Sequence, residues 1–175
     1  MTPFERALAL TLGIEKGYSN DRADRGGATM WGVTHKTYDA YRRRHGLPLR
    51  DVRLIEPRER DEIYQKGYWF PAGCDLLPEC LSACHFDAAV NHGHGQAVRF
   101  LQQAVGALPD GIFGPKTRAA LAAALEREGE AEVIRTYLDV RRDYYDHLIE
   151  SDPTQERFRR GWANRIDHLQ GVLLA

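Results

Sequence analysis

The chain has 175 residues, of which 43 % are hydrophobic and 28 % charged, and its 24 Lys and Arg residues nearly balance 25 Asp and Glu residues. This composition is typical of a folded globular protein and excludes a disordered or collagen-like chain. The near-neutral charge argues against a dedicated nucleic-acid-binding protein, which carries a basic excess. The longest nearly apolar stretches, 7–14 and 119–125, are far shorter than the ~20 residues that a membrane-spanning helix needs, so we expect no membrane insertion.

The N-terminal sequence lacks the basic start and apolar run of an ordinary secretory signal, so we expect synthesis in the cytoplasm. The three cysteines, Cys74, Cys80 and Cys84, are an odd number, which favours reduced and buried thiols. A metal site formed by Cys80, Cys84 and His85 is the alternative, but a fourth ligand is not evident. We therefore predict no metal and no cofactor.

Helical patterns dominate the chain and predict a mainly α fold. Thr2-Pro3-Phe4-Glu5 has the form of an N-cap with a capping box, and the apolar stripe that follows is expected to stop at Gly17. Residues 18–33 are rich in Gly, Asp and Asn, which predicts a loop or small hairpin. Later helices are predicted at about 34–46, 57–67, 81–91, through 98–105, from Gly114-Pro115, and at 130–148 and 155–174.

Glu15 is the first candidate catalytic residue. It follows Leu8 by seven positions and Leu12 by three, so it falls on the apolar stripe of the first helix. Partial desolvation there raises the pKa of a carboxyl group, and a glycosidic general acid must keep its proton near neutral pH. The alternative is a salt-bridged or exposed glutamate at a helix end.

Two further candidates follow in the Gly-rich segment. Asp24 lies nine residues after Glu15, and Thr29 lies five residues after Asp24, with Gly26-Gly27 allowing a tight reversal between them. An acid, an ionised carboxylate and a hydroxyl can thus meet at one cleft. The alternatives are a turn-forming role for Asp24, for which Asp21 is equally eligible, and a β-strand role for Thr29.

Residues 15–34 resemble the Glu-Gly-Gly-Tyr motif and the Asp-x-Gly-Gly-x-Thr-x-x-Gly-Ile-Thr signature of the glycoside hydrolase family 108 muramidases. Lys16 stands in place of the first motif glycine, and Val33 in place of the isoleucine. The resemblance implies a lysozyme-like helical fold with Glu15 as the acid, Asp24 as the second carboxylate and Thr29 as a water-orienting hydroxyl. Similarity to the tailed-phage lysozymes implies inversion at the anomeric carbon.

Later segments are similar to other motifs of wall-degrading proteins. Residues 63–69 resemble the Tyr-Trp segment of the family, residues 86–93 its Asn-x-Gly element, and residues 158–166 its C-terminal helix. Residues 110–117 resemble the Asp-Gly-x-x-Gly-Pro-x-Thr signature of helical peptidoglycan-binding modules. The implied organisation is a muramidase part at 1–90 and a peptidoglycan-binding part at 91–175, packed as one compact body.

Six residues are candidates for contacting the glycan substrate. Tyr18, Tyr68 and Trp69 offer aromatic faces for sugar rings, with core packing as the alternative for each. Asn91 is a candidate for the cleft wall or, alternatively, a helix C-cap before Gly93. Binding by Asp110 and Thr117 is implied only by the resemblance, because a turn followed by a helix start explains their segment equally well.

These features predict an endolysin-type peptidoglycan hydrolase that cleaves the β-1,4 bond between N-acetylmuramic acid and N-acetylglucosamine. The alternatives are a wall-binding module without catalysis and another wall hydrolase, such as an amidase or a peptidase. We expect a monomer that binds peptidoglycan and no nucleic acid. It would reach the wall through a holin-like phage-encoded pore, a secretion route or cell lysis.

Overall fold

The computed structural model describes residues 1–14, 18–19 and 29–175. Within these ranges the fold is mainly α and lysozyme-like, as predicted. The α-helices are α1 (Pro3–Ile14), α2 (His35–Arg44), α3 (Pro57–Tyr64), α4 (Glu79–His92), α5 (His94–Ala104), α6 (Pro115–Glu128), α7 (Glu130–Ser151) and α8 (Arg159–Leu173). None of the helices in these described ranges is long and apolar enough to cross a membrane.

Capping side chains set the helix starts where the sequence indicates them. The backbone N–H of Glu5 donates to Thr2 Oγ1 at 3.2 Å, and the Thr2 N–H donates to Glu5 Oε2 at 2.7 Å, which completes the predicted capping box of α1. Thr34 caps α2 by accepting the Thr37 N–H at 3.1 Å. Gly129, with a φ of 80°, ends α6 and precedes α7, and a positive φ favours glycine there.

At the ends of two predicted helices the structure has a π-helical or 3₁₀ turn in place of α-helix. The helix expected over 57–67 becomes a π-helical turn at Gln65–Trp69, where the Phe70 N–H donates to the Gln65 carbonyl oxygen at 3.0 Å. The last helix begins at Arg159 rather than at 155, because residues 153–158 form 3₁₀ turns. Asp152 anchors that segment by accepting from both the N–H and the hydroxyl of Thr154.

The core is organised around α4. Nine successive residues, 81–89, are buried, so this helix is surrounded on all sides by α1, α5 and α7. An aromatic cluster joins α1 to α4, with the rings of Phe4 and Phe86 centred 5.8 Å apart in an edge-to-face arrangement. Full burial of each such ring contributes about 1.5–3 kcal/mol to stability.

A buried ionic cluster joins α4 to the two C-terminal helices. Asp87 accepts from Arg141 at 2.9 Å and from Arg165 at 2.8 Å, and both Asp87 and Arg141 are fully buried. Desolvation opposes the charge of Arg141, but the adjacent Asp87 outweighs it and raises the pKa of the guanidinium. Removing one partner would leave an uncompensated buried charge, so the cluster holds these helices in one arrangement.

Candidate active site

A three-stranded antiparallel sheet follows α1 in the chain. Its strands are β1 (Tyr18–Ser19), β2 (Thr29–Met30) and β3 (Val33–Thr34), in that order across the sheet. The link between β2 and β3 is the two-residue turn Trp31-Gly32, whose φ values of 49° and 73° fit a type I′ hairpin. The predicted loop or small hairpin at 18–33 therefore contributes strands of a small antiparallel sheet in its described part.

Two side chains of α3 hold the hairpin turn in place. The Tyr64 hydroxyl donates to the Trp31 carbonyl oxygen at 2.8 Å, and the Arg60 guanidinium lies 5.1 Å from the centre of the Trp31 ring. A positive φ is unfavourable for a tryptophan, and these contacts offset part of that strain. The hairpin is thus fixed against α3 with its turn beside the end of that helix.

A cavity of about 250 Å³ opens between the hairpin, the first turn of α2, the end of α3 and the end of α4. We refer to it as the hairpin cavity. Its lining combines apolar walls with hydroxyl and amide groups: Gly32, Val33, Thr34, Thr37, Ile63, Tyr64, Tyr68, Val90 and Asn91. A concave site with a few converging polar groups is typical of a small-ligand or substrate site.

Two predicted substrate-binding residues, Tyr68 and Asn91, meet in this cavity although they are 23 positions apart. Tyr68 comes from the π-helical turn and Asn91 from the penultimate position of α4. The Asn91 side-chain amide donates to the Asp87 carbonyl oxygen at 2.7 Å, which leaves its oxygen as an acceptor for a ligand. The capping alternative for Asn91 does not apply, because Gly93 takes that position with a φ of 81°.

Thr29 lies on the strand next to the cavity-lining Thr34. In the register of the sheet it is the direct partner of Thr34 on β3 and of Ser19 on β1. Directly opposed residues of an antiparallel pair present their side chains to the same face of the sheet, so Thr29 shares the face of the cavity-lining Thr34. Tyr18 lies in β1 opposite Met30.

Glu15, Asp24 and the predicted helix stop at Gly17 lie outside the described residues. In the sequence Glu15 directly follows the last residue of α1 and precedes β1 by three positions, while Asp24 falls between β1 and β2. The catalytic roles of these two carboxylates therefore stay predictions.

Trp69 is not part of the cavity lining. Its side chain is only 5 % exposed and packs edge-to-face on Phe4 at 5.5 Å and on Phe86 at 5.6 Å. The π-helical turn places Tyr68 at the cavity and Trp69 in the core, and the core-packing alternative accounts for Trp69.

Asp110 and Thr117 lie in the turn between α5 and α6 and in the first turn of α6, respectively. The Gln102 side-chain amide donates to Asp110 Oδ1 at 2.7 Å and to Thr117 Oγ1 at 2.9 Å, and its oxygen accepts the Gly111 N–H at 2.9 Å. The hydrogen bond from Gln102 holds the pKa of the Asp110 carboxyl below its usual value. The turn-and-helix alternative therefore explains both residues, and sequence reasoning missed Gln102 because no local motif marks it.

The cysteines and His85 do not form a metal site in the described part of the chain, where no group of three or more His, Cys, Asp or Glu residues is placed to hold an ion. Burial raises the pKa of the Cys84 thiol to about 12, which keeps it protonated. Burial also lowers the pKa of His85 to about 4, so the ring is neutral. Its Nε2–H then donates to the Ala72 carbonyl oxygen at 3.1 Å, and its Nδ1 accepts from the Tyr137 hydroxyl at 3.0 Å.

Two family models match consecutive parts of the chain. Residues 8–93 match the model of the family described as Glycosyl hydrolase 108. This region belongs to that family. Residues 96–167 match the family described as Predicted Peptidoglycan domain. The glycosyl hydrolase 108 match contains the hairpin, the cavity and α4, and the second match contains the Gln102 turn and most of the C-terminal helices.

A solved structure shares this fold. The structure of Brucella abortus SagA superposes with a TM-score of 0.78 at 28 % sequence identity, covering 98 % of this chain and 93 % of that one. No curated protein matched the sequence. With a glycosyl hydrolase 108 domain followed by a peptidoglycan domain, the chain is a glycoside hydrolase that acts on peptidoglycan.

Proposed function

We propose that this hydrolase is an N-acetylmuramidase that cleaves the β-1,4 bond between N-acetylmuramic acid and N-acetylglucosamine. The observation that carries the proposal is the hairpin cavity, which lies within the glycosyl hydrolase 108 region and gathers Tyr68, Asn91 and Thr34, the strand partner of Thr29. Tyr68 supplies an aromatic surface for a sugar ring, and the Asn91 amide oxygen accepts a hydrogen bond from a sugar hydroxyl or acetamido group.

In the proposed mechanism Glu15 protonates the leaving glycosidic oxygen. Asp24 stays ionised, stabilises the oxocarbenium-like transition state and, with the Thr29 hydroxyl, orients the attacking water. The position of Glu15 after α1, three residues before the sheet that carries Thr29, supports this assignment. The product is expected to have an inverted anomeric configuration.

A muropeptide digest tests the bond and the stereochemistry together. Purified peptidoglycan is digested, and mass spectrometry with reducing-end labelling identifies the new ends. The proposal predicts muramic acid at the new reducing ends and an α-anomer in the first products seen by NMR. New glucosamine ends, cut amide bonds or an anhydro product would contradict the proposed bond and chemistry, and binding without any new ends would favour a wall-binding module.

We further propose that residues 1–90 and 91–175 act as a catalytic and a wall-binding part of one monomer, an arrangement that the two family matches support. As an endolysin-type enzyme it would be made in the cytoplasm and meet the wall through a holin-like pore, a secretion route or lysis. Expression with and without a co-expressed holin tests the route. A fall in culture turbidity only with the holin is expected, and clearing without it would favour export by another route.

A further inference from the structure

A second concave surface adjoins the hairpin cavity. It lies between α2 and α3, has a volume of about 260 Å³, and is lined by Thr37, Ala40, Tyr41, Arg44, His45, Glu62, Ile63, Lys66 and Gly67. We refer to it as the α2–α3 groove. Thr37 and Ile63 line both the groove and the cavity, so the two are direct neighbours.

The groove carries an excess of positive charge. Arg44 and Lys66 are its permanent cations, and Glu62 is its one carboxylate. Glu62 already serves the protein: it accepts from the Tyr41 hydroxyl at 2.8 Å, pairs with Lys66 and lies 3.3 Å from His45. Within the described ranges no acidic side chain pairs with Arg44, so its guanidinium is available to an anion.

The surrounding segment is basic as well. Residues 35–66 contain nine Lys and Arg residues against six Asp and Glu residues, although the whole chain has a slight acidic excess. Local positive charge beside a cleft attracts anionic groups and is screened by salt.

A buried network of hydrogen bonds and ion pairs connects the two helices that form the groove. Glu59 of α3 accepts from the Tyr38 hydroxyl at 2.7 Å and from Arg42 at 2.6 Å, both on α2, and from Arg50 at 2.7 Å. These bonds fix the spacing of α2 and α3, so the groove is formed before any ligand arrives.

We propose that the α2–α3 groove binds the acidic stem peptide carried by the muramic acid residue that occupies the hairpin cavity. This inference rests on the proposed function. The stem peptide is covalently attached to muramic acid and bears free carboxylates, so a sugar held in the cavity must direct its peptide onto a neighbouring surface. The groove shares two lining residues with the cavity and presents Arg44 and Lys66 to those carboxylates. The enzyme thereby favours peptide-bearing glycan over naked glycan.

The test compares two substrates of equal chain length: glycan strands with intact stem peptides, and the same strands stripped by an amidase. The measured quantity is the ratio of kcat/KM on the first to kcat/KM on the second. For wild type this ratio is expected to exceed one and to fall with added salt. Arg44→Gln and Lys66→Gln should each lower it about two- to fivefold, as expected for loss of one exposed ion pair.

Arg43→Gln is the matched control, because Arg43 precedes Arg44 on the same helix, is 65 % exposed and does not line the groove. It should leave the ratio at the wild-type value. Glu62→Gln should raise the ratio, since it removes the groove carboxylate and frees Lys66. A structural role for these residues would not produce changes of opposite sign.

Gly67→Leu supplies a steric version of the test. Nothing lies within 4 Å of where a Cβ would stand at Gly67, so a leucine is accommodated and projects into open space at the groove. We expect a lowered ratio with unchanged thermal stability. Cleavage of both substrates at equal rates by wild type, or ratios unaffected by all groove variants, would overturn the inference while leaving the muramidase proposal intact. Absence of new muramic reducing ends on either substrate would instead overturn the proposed function.

Discussion

The hairpin cavity and the C-terminal helical region both contain many polar side chains, and they use them in opposite ways. In the cavity Asn91 is part of the lining, and only the nitrogen of its side-chain amide is bonded within the described fold, to the Asp87 carbonyl oxygen. In the C-terminal region the polar atoms of Gln102 bind partners inside the fold. A motif rich in polar residues therefore indicates a binding site only where some of its polar atoms have no partner within the fold.

The largest stability effect should follow from breaking the buried ionic cluster. Asp87→Asn leaves Arg141 buried without its counter-charge, so we expect a loss of about 3–5 kcal/mol in the free energy of unfolding. Urea denaturation measures it. Asp143→Asn, on the exposed side of α7, is the control and should stay within about 0.5 kcal/mol of wild type. A small effect at Asp87 would show that this region is not held together by its internal polar pairs.

The Glu59 network behind the groove should make stability depend on pH. Burial opposes ionisation of Glu59, but hydrogen bonds from the Glu56 backbone N–H, Tyr38, Arg50 and Arg42 outweigh it and lower its pKa from 4.5 to about 2. A carboxyl with a lowered pKa in the folded state stabilises fully above pH 4.5 and loses that contribution as the pH falls through 2. We expect a loss of about 2–3 kcal/mol across this window.

Denaturation curves at a series of pH values measure this contribution. The variant Glu59→Gln should be less stable than wild type at neutral pH, and the difference should shrink between pH 4.5 and 2. A constant difference across the window would contradict an ionised Glu59 in the folded state.

Gln102→Leu should cost stability and spare catalysis. It leaves the Gly111 N–H without its acceptor and removes the Gln102 donor to the Thr117 hydroxyl oxygen, which costs about 1–3 kcal/mol. The neighbouring Gln103 is exposed, so Gln103→Leu is the control with the same change in chemistry. Thermal unfolding and wall-clearing rates on the folded variant are the two readouts. A large loss of kcat in a stably folded Gln102→Leu would give this turn a role in substrate turnover.

Asn91→Ala should lower activity and leave stability almost unchanged, which is the reverse of the result expected for Gln102→Leu. Its expected free-energy effect is the smallest of this set. We expect the rate on peptidoglycan to fall about tenfold, equivalent to ~1.4 kcal/mol in transition-state binding, with little change in the free energy of unfolding. Asn164→Ala, at an exposed position of α8, is the control. If Asn91→Ala unfolds the protein and the folded fraction keeps full activity, the Asn91 amide stabilises the fold, as Gln102 does, and does not bind substrate.

Local signals predicted much of the fold. The capping box at Thr2 and Glu5 and the helix start near residue 34 are each decided within one helical turn, and the structure confirms them. Motifs rather than geometry predict Tyr68 and Asn91 as site residues, because nothing local shows that a π-helical turn and the end of α4 face one cavity.

Interactions between distant residues were beyond sequence reasoning. Asp87 bonds to partners 54 and 78 positions away, and Gln102 organises a turn eight to fifteen positions further on. The π-helical turn also has no periodic signature, since it inserts a single wider turn into a helical pattern. These features depend on how the helices pack, which a single sequence does not encode in any short window.

The central claim is that a proton-bearing carboxyl at position 15 drives cleavage of the muramic acid linkage at the hairpin cavity. The most direct test is the rate of release of new reducing ends from purified peptidoglycan by Glu15→Gln, with Glu126→Gln on the exposed face of α6 as the control. We predict a fall of about 10²–10⁴ for Glu15→Gln with an unchanged thermal midpoint, and wild-type release for the control. Wild-type release by a folded Glu15→Gln would contradict the account.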